Sequence, residues 1–247
     1  MKHFLTFTLL ALLMASCNNE LTFEEKSYSK KSDLPCDKDC PHIDIKIPVA
    51  KNAPIVADSI NKKVFATMKE IVFVGEKPFP STDYNGLTTA FINSYEDIQK
   101  KEPSEKIGWE AEITGRIAYQ SENILNIGLK LHTFTGGAHG YSGERSLIFD
   151  PETGKNIPNE KLFKDVGVFE AFAEKKFRKA YNIPEATSLN ATGLMFEDEH
   201  FVLPQTFFFT DKGFLLYYNV YEIASYAEGP KQVLIPYAEM TPYLITK

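Results

Sequence analysis

Apolar residues recur along most of the chain with a period of two or of three to four, and the period changes from segment to segment. Residues 42–49, HIDIKIPV, alternate isoleucine with charged residues, which predicts a half-buried strand. In residues 54–73 the apolar positions recur at helical spacing, so we expect an amphipathic helix. A second helix is predicted over residues 88–101, because its apolar positions share one face and Pro103 follows.

The middle of the chain alternates with a period of two. Residues 108–120 and 123–134 place apolar side chains at every second position, which predicts two strands, with Asn126 on the polar side of the second. A third strand is predicted over residues 144–150. The glycine-containing stretch 134–147 joins the second strand to the third, so these strands form an antiparallel meander.

The last part of the chain combines one helical stretch with a second group of strands. Residues 159–181 have apolar positions at helical spacing, interrupted near Gly167. Two aromatic-rich strands flank residues 211–213, Asp-Lys-Gly, which is a hairpin signal. A further strand precedes a short helix over residues 237–244. Because helices and antiparallel strands occur in separate runs, the fold class is α+β, with antiparallel β-meanders and packed helices.

The amino-terminal segment has the features of a bacterial lipoprotein signal peptide, residues 1–16. A basic head precedes an uncharged apolar run, residues 4–14, which suits a signal-peptide core and is shorter than a membrane span. The small residues Ala15 and Ser16 stand before Cys17, so we expect cleavage there and lipid attachment to Cys17. An ordinary secretory signal with a chance cysteine is the alternative.

The segment that follows, residues 17–41, is polar and charged, which favours a flexible, lipid-anchored tether. Asn18, rather than an aspartate, follows the cysteine and favours the outer membrane, with the folded part facing the periplasm or the cell surface. No other apolar run approaches the length of a membrane span, so contact with the membrane is expected only through the anchor.

The two remaining cysteines, Cys36 and Cys40, lie close together in the sequence. Outside the cytoplasm, such a pair favours a disulfide. The alternative is a metal site formed by both cysteines with His42, but that set offers only three ligands in an oxidising compartment. We therefore predict a disulfide, no metal site and no cofactor.

The charge of the chain limits its partners. The formal net charge is −6, and removal of Lys2 with the signal peptide makes it −7. This balance disfavours binding to nucleic acid or to an anionic membrane surface, and it permits a basic partner. The apolar and aromatic content is ample for a sizeable core, and Trp109 is the single tryptophan.

The glycine-containing stretch carries one histidine, His139, whose role is open to two interpretations. A hydrolytic histidine needs a nucleophile and an orienting carboxylate, and the chain has no G-x-S-x-G motif. His132 stands on the other side of the predicted turn, but no third metal ligand is indicated. The favoured interpretation is structural: Gly136 and Gly137 allow the chain to turn, and His139 hydrogen-bonds to the backbone or to a carboxylate.

A second candidate segment, residues 217–230, is rich in tyrosine. Tyrosine is amphipathic and is common at interfaces, although strand alternation must bury some of these side chains. Residues 221–228 are the best candidate for a recognition loop. The candidate binding residues of the whole chain are His139, Tyr141, Tyr221, Glu222, Tyr226 and Glu228.

Several ordered motifs together resemble a known family. They include IDIKIP, WEAEI and GGAHGY, then DPETGKNIPNEKLF and the long FFFTDKGFLLYYNVYEIASYAEGPKQVLIPYAEM. The chain from about His42 onward is similar to an extracytoplasmic domain of unknown function. That domain is shared by a lysozyme-sensing anti-sigma factor, a peptidoglycan deacetylase, where it is the accessory domain, and many stand-alone bacterial lipoproteins.

The resemblance implies two α+β subdomains of similar style, residues 42–150 and 151–247, and an envelope role without catalytic chemistry of its own. The favoured hypothesis is therefore a non-catalytic binding module for lysozyme, another envelope protein or peptidoglycan. One alternative is a cell-wall glycan hydrolase that uses carboxylates such as Glu110, Glu112 or Glu144. The other alternative is a structural envelope lipoprotein.

Overall fold

The computed structural model of the chain describes residues 20–36, 40–103 and 107–245. The predicted signal peptide and Cys17 lie outside these residues. The strands are β1 (Thr22–Lys31), β2 (His42–Lys51), β3 (Glu110–Gln120), β4 (Leu125–Phe134), β5 (Tyr141–Phe149), β6 (Thr206–Thr210), β7 (Gly213–Tyr218) and β8 (Lys231–Ile235). The α-helices are α1 (Pro54–Val72), α2 (Tyr84–Lys101), α3 (Val166–Ala180) and α4 (Tyr237–Met240).

The first subdomain is a five-stranded sheet in the order β1-β2-β3-β4-β5. Strands β2 and β3 are parallel and the other neighbouring pairs are antiparallel. The parallel pair requires a long crossover, which α1 and α2 provide. The core of this subdomain lies between the two helices and the sheet, with Ile45 and Leu129 from strands meeting Val64 and Phe91 from helices.

Residues 22–31 correct the predicted tether, because they form an edge strand rather than a flexible segment. All ten residues of β1 pair with β2 in an antiparallel register from Thr22↔Lys51 to Lys31↔His42. Tyr28 stacks on Tyr84 of α2, with ring centroids 4.6 Å apart. The composition of β1 is typical of a disordered segment, but an exposed edge strand needs few apolar side chains when a neighbouring strand supplies its hydrogen bonds.

The second subdomain is a three-stranded antiparallel sheet in the order β6-β7-β8, with α3 packed against it. Its core is dominated by phenylalanine, and the ring of Phe163 stacks on that of Phe169 at 4.0 Å. Helix α3 begins after Asp165, whose carboxylate accepts a hydrogen bond from Val168 N and so caps the helix. The predicted α+β fold in two subdomains is confirmed.

The two subdomains meet where β6 packs against the five-stranded sheet. Asn126, predicted on the polar face of β4, is fully buried there. Its side-chain amide donates to Leu147 O at 3.2 Å, and its oxygen accepts from Phe209 N at 2.9 Å. The second subdomain therefore covers the part of this face that holds Asn126 and Gly128, whereas Lys130 stays exposed.

Candidate functional site

The glycine loop, residues 135–140, connects β4 to β5. Gly136 and Gly137 have φ angles of 109° and 94°, which are unfavourable for residues with a side chain. Gly140 is constrained differently: a Cβ atom there would lie 2.6 Å from Cε1 of His132 and 2.9 Å from the carbonyl oxygen of Thr133. The first two glycines therefore make the turn, and Gly140 leaves room for the imidazole of His132.

An aromatic cluster, which we define as His139, Tyr221 and Tyr226, joins the glycine loop to the loop after β7. The imidazole of His139 stacks on Tyr226, with centroids 4.4 Å apart. Its Nδ1 lies 2.8 Å from the carbonyl oxygen of Gly140, and its Nε2 lies 2.9 Å from the hydroxyl of Tyr221. Because a carbonyl only accepts, Nδ1 donates to Gly140, and Nε2 is left to hydrogen-bond with the hydroxyl of Tyr221.

Tyr221 occupies an unusual backbone conformation while its side chain faces solvent. Its φ angle is 65°, and its side chain is 54% exposed. The left-handed conformation costs a residue with a Cβ about 1–2 kcal/mol. Internal hydrogen bonds hold the loop in this shape, including one from Tyr221 N to Ala224 O at 3.1 Å.

Glu222, predicted as a binding residue, stabilises this loop from inside. Its carboxylate oxygens accept hydrogen bonds from Gln205 N at 2.7 Å and from Asn219 N at 2.8 Å. Burial raises the pKa of Glu222 above its ordinary value, although the two backbone donors oppose the shift. Both carboxylate oxygens are thus already used within the fold.

The other two candidate residues lie around the cluster without ring contact to it. The hydroxyl of Tyr141 lies over Gly143, where an added Cβ atom would come within 2.9 Å of it. Burial raises the pKa of the Tyr141 hydroxyl. Glu228 forms an ion pair with Lys231 at 3.0 Å on the exposed surface. Tyr217 and Tyr218, from the same tyrosine-rich segment, are buried in the core.

A cleft of about 1000 Å³ opens beside the aromatic cluster, and His139 lines it. Its walls come from the end of α2, the start of β3, the end of β4, the glycine loop and the segment before β2. The lining residues used below are Tyr95, Lys100, Glu110, His132 and Phe134.

A chain of hydrogen bonds runs across three neighbouring strands into this cleft. The Oγ of Ser142 on β5 lies 2.8 Å from Nδ1 of His132 on β4. The Nε2 of His132 lies 2.7 Å from Oε1 of Glu110 on β3. Because a carboxylate only accepts, Nε2 donates to Glu110, and Nδ1 is left to hydrogen-bond with the hydroxyl of Ser142.

Ser142, His132 and Glu110 have the connectivity of a serine-hydrolase triad, but their placement differs from one. Glu110 and His132 line the cleft, whereas Ser142 does not. In the triad template the serine is bonded to Nε2 and the acid to Nδ1, and here the two nitrogens are exchanged. The arrangement therefore presents a fixed carboxylate to the cleft rather than a nucleophile.

The other two carboxylates suggested for glycan hydrolysis lie outside the cleft lining of the described residues. Glu112 faces His42 at 3.6 Å with 61% of its side chain exposed. Glu144 forms an ion pair with Arg116 at 2.7 Å. A hydrolase that uses two carboxylates needs both beside the scissile bond, and the described part of the cleft supplies Glu110 alone.

The hydrogen-bonded chain of Ser142, His132 and Glu110 was not predicted, although the sequence holds a signal for it. In an antiparallel hairpin, residues equally far from the centre of the turn face each other. His132 and Ser142 are each five residues from Gly137, and they are direct partners across the ladder. A prediction that placed the centre of the turn at Gly137 would have paired His132 with Ser142.

The two cysteines before His42 are paired with each other in the structure. Cys36 and Cys40 are joined by a disulfide with a Cα–Cα distance of 5.5 Å, as expected. In the part of the chain that the structure describes, no group of three or more potential ligands could hold a metal ion.

Within residues 20–36, 40–103 and 107–245, no helix has the length and apolar character needed to cross a membrane.

Comparison with protein families matches both halves of the chain. Residues 34–142 match the family described as deacetylase PdaC, and residues 160–238 match a family of unknown function, DUF3298. The resemblance inferred from the sequence motifs is thereby confirmed, and the matches indicate an accessory domain associated with the cell envelope.

Two solved structures share the fold. A DUF3298 family protein from Pseudomonas aeruginosa aligns with a TM-score of 0.66 at 19% identity, over 91% of this chain and 94% of the other. A member of the same family from Bacteroides fragilis aligns with a TM-score of 0.66 at 21% identity, over 91% and 93%. A search of curated proteins finds no match.

Proposed function

We propose that the chain is a non-catalytic binding module of the cell envelope, anchored to the outer membrane through Cys17, which recognises a protein partner with its aromatic cluster. The observation that carries the proposal is the cluster itself. His139, Tyr221 and Tyr226 come from two loops of different subdomains, contact one another, and leave Tyr221 more than half exposed.

The geometry of the cluster suits protein recognition. Tyrosine is enriched among the few residues that dominate binding energy at protein interfaces. Ordering a mobile side chain costs about 0.5–1.5 kcal/mol on binding. The stacking between His139 and Tyr226 and the hydrogen bond to Tyr221 already order these side chains in the unbound protein, so less conformational entropy is lost on binding. The cluster thus offers an exposed aromatic surface that is already rigid.

Lysozyme is the first partner to test. The family resemblance includes a lysozyme-sensing protein, and lysozyme is basic. The net charge, −6 for the whole sequence and −7 once Lys2 is removed with the signal peptide, would attract such a partner and accelerate its association, while the cluster would determine specificity. Another envelope protein and peptidoglycan are the remaining candidates, and the experiment below separates them from lysozyme.

The two alternative functions have less support. A glycan hydrolase needs a second catalytic carboxylate, and the described cleft lining holds only Glu110. A purely structural lipoprotein would be expected to bury its tyrosines and to lack a cleft. The exposure of Tyr221 and the cleft beside it both favour a binding function.

Calorimetric titration of residues 18–247 with lysozyme, at low and at physiological salt, tests the proposal. We expect a Kd in the micromolar range or tighter at both salt concentrations. Tyr221→Ala and Tyr226→Ala should each weaken binding about tenfold or more, as residues at the centre of an interface do. Ile55→Ala is the control, because Ile55 is an apolar side chain on α1 that is 85% exposed and outside the cluster.

Three results would contradict the proposal for lysozyme. One is the absence of binding at either salt concentration, which would turn the search to other envelope proteins and to peptidoglycan. Another is heat that disappears at physiological salt, because that indicates charge attraction alone. The third is unchanged affinity in both tyrosine variants, which would place the interface elsewhere.

A further inference from the structure

The cleft has a chemical character of its own, distinct from that of the aromatic cluster at its rim. We propose that the cleft binds a short neutral oligosaccharide, with the carboxylate of Glu110 as the acceptor that anchors the sugar hydroxyls. This goes beyond the proposed function, because it assigns a second ligand to a second surface. His139 belongs to both surfaces, so its substitution cannot separate them.

Glu110 is held in one orientation at the cleft wall. His132 donates to Oε1, and Ser142 in turn fixes the ring of His132. Gly140 packs against the same ring so closely that no Cβ atom would fit. The Glu110 side chain is nevertheless 36% exposed. A fixed carboxylate that can only accept hydrogen bonds selects a ligand that presents donors, such as hydroxyl groups.

The charge of the lining favours a neutral ligand. Apart from the two histidines, the charged residues among the described lining residues are Glu110 and Lys100, and their charges are opposite. Lys100 also pairs with Asp97 at 3.1 Å on the helix surface. A site built for a cation or an anion would be expected to concentrate one sign of charge. The described part of the lining is balanced and shows no such preference.

The remaining lining supplies apolar surfaces beside the carboxylate. Phe134, which is half-buried, and Ile107, which is 39% exposed, offer apolar surface to the cleft, whereas Tyr95 lines it but is only 7% exposed. A sugar ring has apolar C–H faces and a polar edge of hydroxyl groups, so it can place a face on Phe134 while its edge donates to Glu110. The volume of about 1000 Å³ is at the upper end of the range for ligand pockets, about 300–1000 Å³, and leaves room for more than one ring.

The single tryptophan is an intrinsic fluorescence probe of the cleft. Trp109 precedes Glu110 directly, and its ring lies 5.9 Å from that of Tyr95, which lines the cleft. Residues 18–247, which contain every described element, are titrated with N,N′,N″-triacetylchitotriose and with cellotriose while the fluorescence of Trp109 is recorded. We expect a saturable change with at least one of these two neutral trisaccharides.

Variants locate the site. Glu110→Ala should weaken sugar binding about tenfold or more, because a hydrogen bond to a charged acceptor is lost. Glu112→Ala is the matched control, since Glu112 stands on the same face of β3 but outside the cleft lining. It should bind sugar as the unchanged chain does. If Glu110→Ala does not fold by circular dichroism, Glu110→Gln, which retains an acceptor for His132, replaces it with an expected severalfold loss.

The proposal is overturned if neither trisaccharide produces a saturable change, or if Glu110 and Glu112 variants bind equally well. Binding of tri-serine peptide in place of both sugars would overturn the ligand class. The lysozyme titration is a separate experiment without sugar. Glu110→Ala should retain lysozyme affinity and Tyr221→Ala should retain sugar affinity, so failure of one proposal leaves the other distinguishable.

Discussion

Position 140 requires glycine because the side chain of His132 occupies the space that a Cβ atom would need. Its Cα hydrogen faces the imidazole of His132, which is held on both nitrogens by Ser142 and Glu110. The imidazole therefore cannot swing aside without losing two hydrogen bonds. In the glycine loop, this steric requirement is separate from the positive φ angles of Gly136 and Gly137.

Gly140→Ala should destabilise the protein by about 1–3 kcal/mol, because the added methyl group overlaps both the ring of His132 and the backbone of Thr133. Urea unfolding followed by circular dichroism measures the change. Gly167→Ala in α3 is the matched control, since its nearest contact would be an ordinary 3.6 Å to Asp165. The control should be neutral or more stable by up to about 1 kcal/mol. Equal stability of the two variants would refute the steric argument.

At the scale of elements, asparagine side chains attach strands and loops to one another by mimicking a peptide group. Asn61 of α1 accepts from Ala50 N and donates to Ala50 O, which ties the helix to β2. Asn219, after β7, does the same to Glu144 of β5 with distances of 2.7 and 3.1 Å. In each case, one amide satisfies both main-chain groups of a residue that would otherwise lose partners.

Asn219→Ala should lower the free energy of unfolding by about 1–3 kcal/mol, because it leaves the partly buried N–H of Glu144 without its acceptor. The measurement is again the urea midpoint. Asn85→Ala on the exposed face of α2 serves as the control and should change the midpoint little. A loss no greater than that of the control would show that Asn219 does not join the subdomains energetically.

At the scale of the whole molecule, the two subdomains have separate cores but share a junction. The core of the second subdomain also includes Ile124 and Ile148, which belong to the first subdomain. The junction is nevertheless specific, since the buried Asn126 of β4 bonds to Phe209 of β6, and Thr206 of β6 bonds to the carbonyl of Glu144 at 3.4 Å. Opening the junction would leave these polar groups unpaired at buried positions.

We therefore expect the subdomains to unfold together. Trp109 reports on the first subdomain alone, whereas far-ultraviolet circular dichroism reports on both. The two signals should have the same urea midpoint, and Asn126→Ala should lower both by the same amount. An earlier midpoint for either signal would mean that the junction is too weak to couple the two cores.

Much of the fold is readable in the sequence because it depends on local spacing. The helical spacing in residues 54–73 corresponds to α1, and the alternation in residues 123–134 corresponds to β4. The hairpin at residues 211–213 follows from turn chemistry. Each of these features depends on residues that are neighbours along the chain.

Local spacing could not predict that residues 22–31 form a strand, and it could not predict which residues of the site come together. The polar segment 22–31 became a strand only because β2 supplied its partner. His139 and Tyr221 were individual candidates, but their contact joins residues 82 positions apart. The sequence alone determined the elements that carry an apolar pattern, such as α1 and β4, since these are decided by the spacing of apolar side chains. Only the tertiary structure decided that Glu110 faces a cleft, because its position depends on strands brought together from distant parts of the chain.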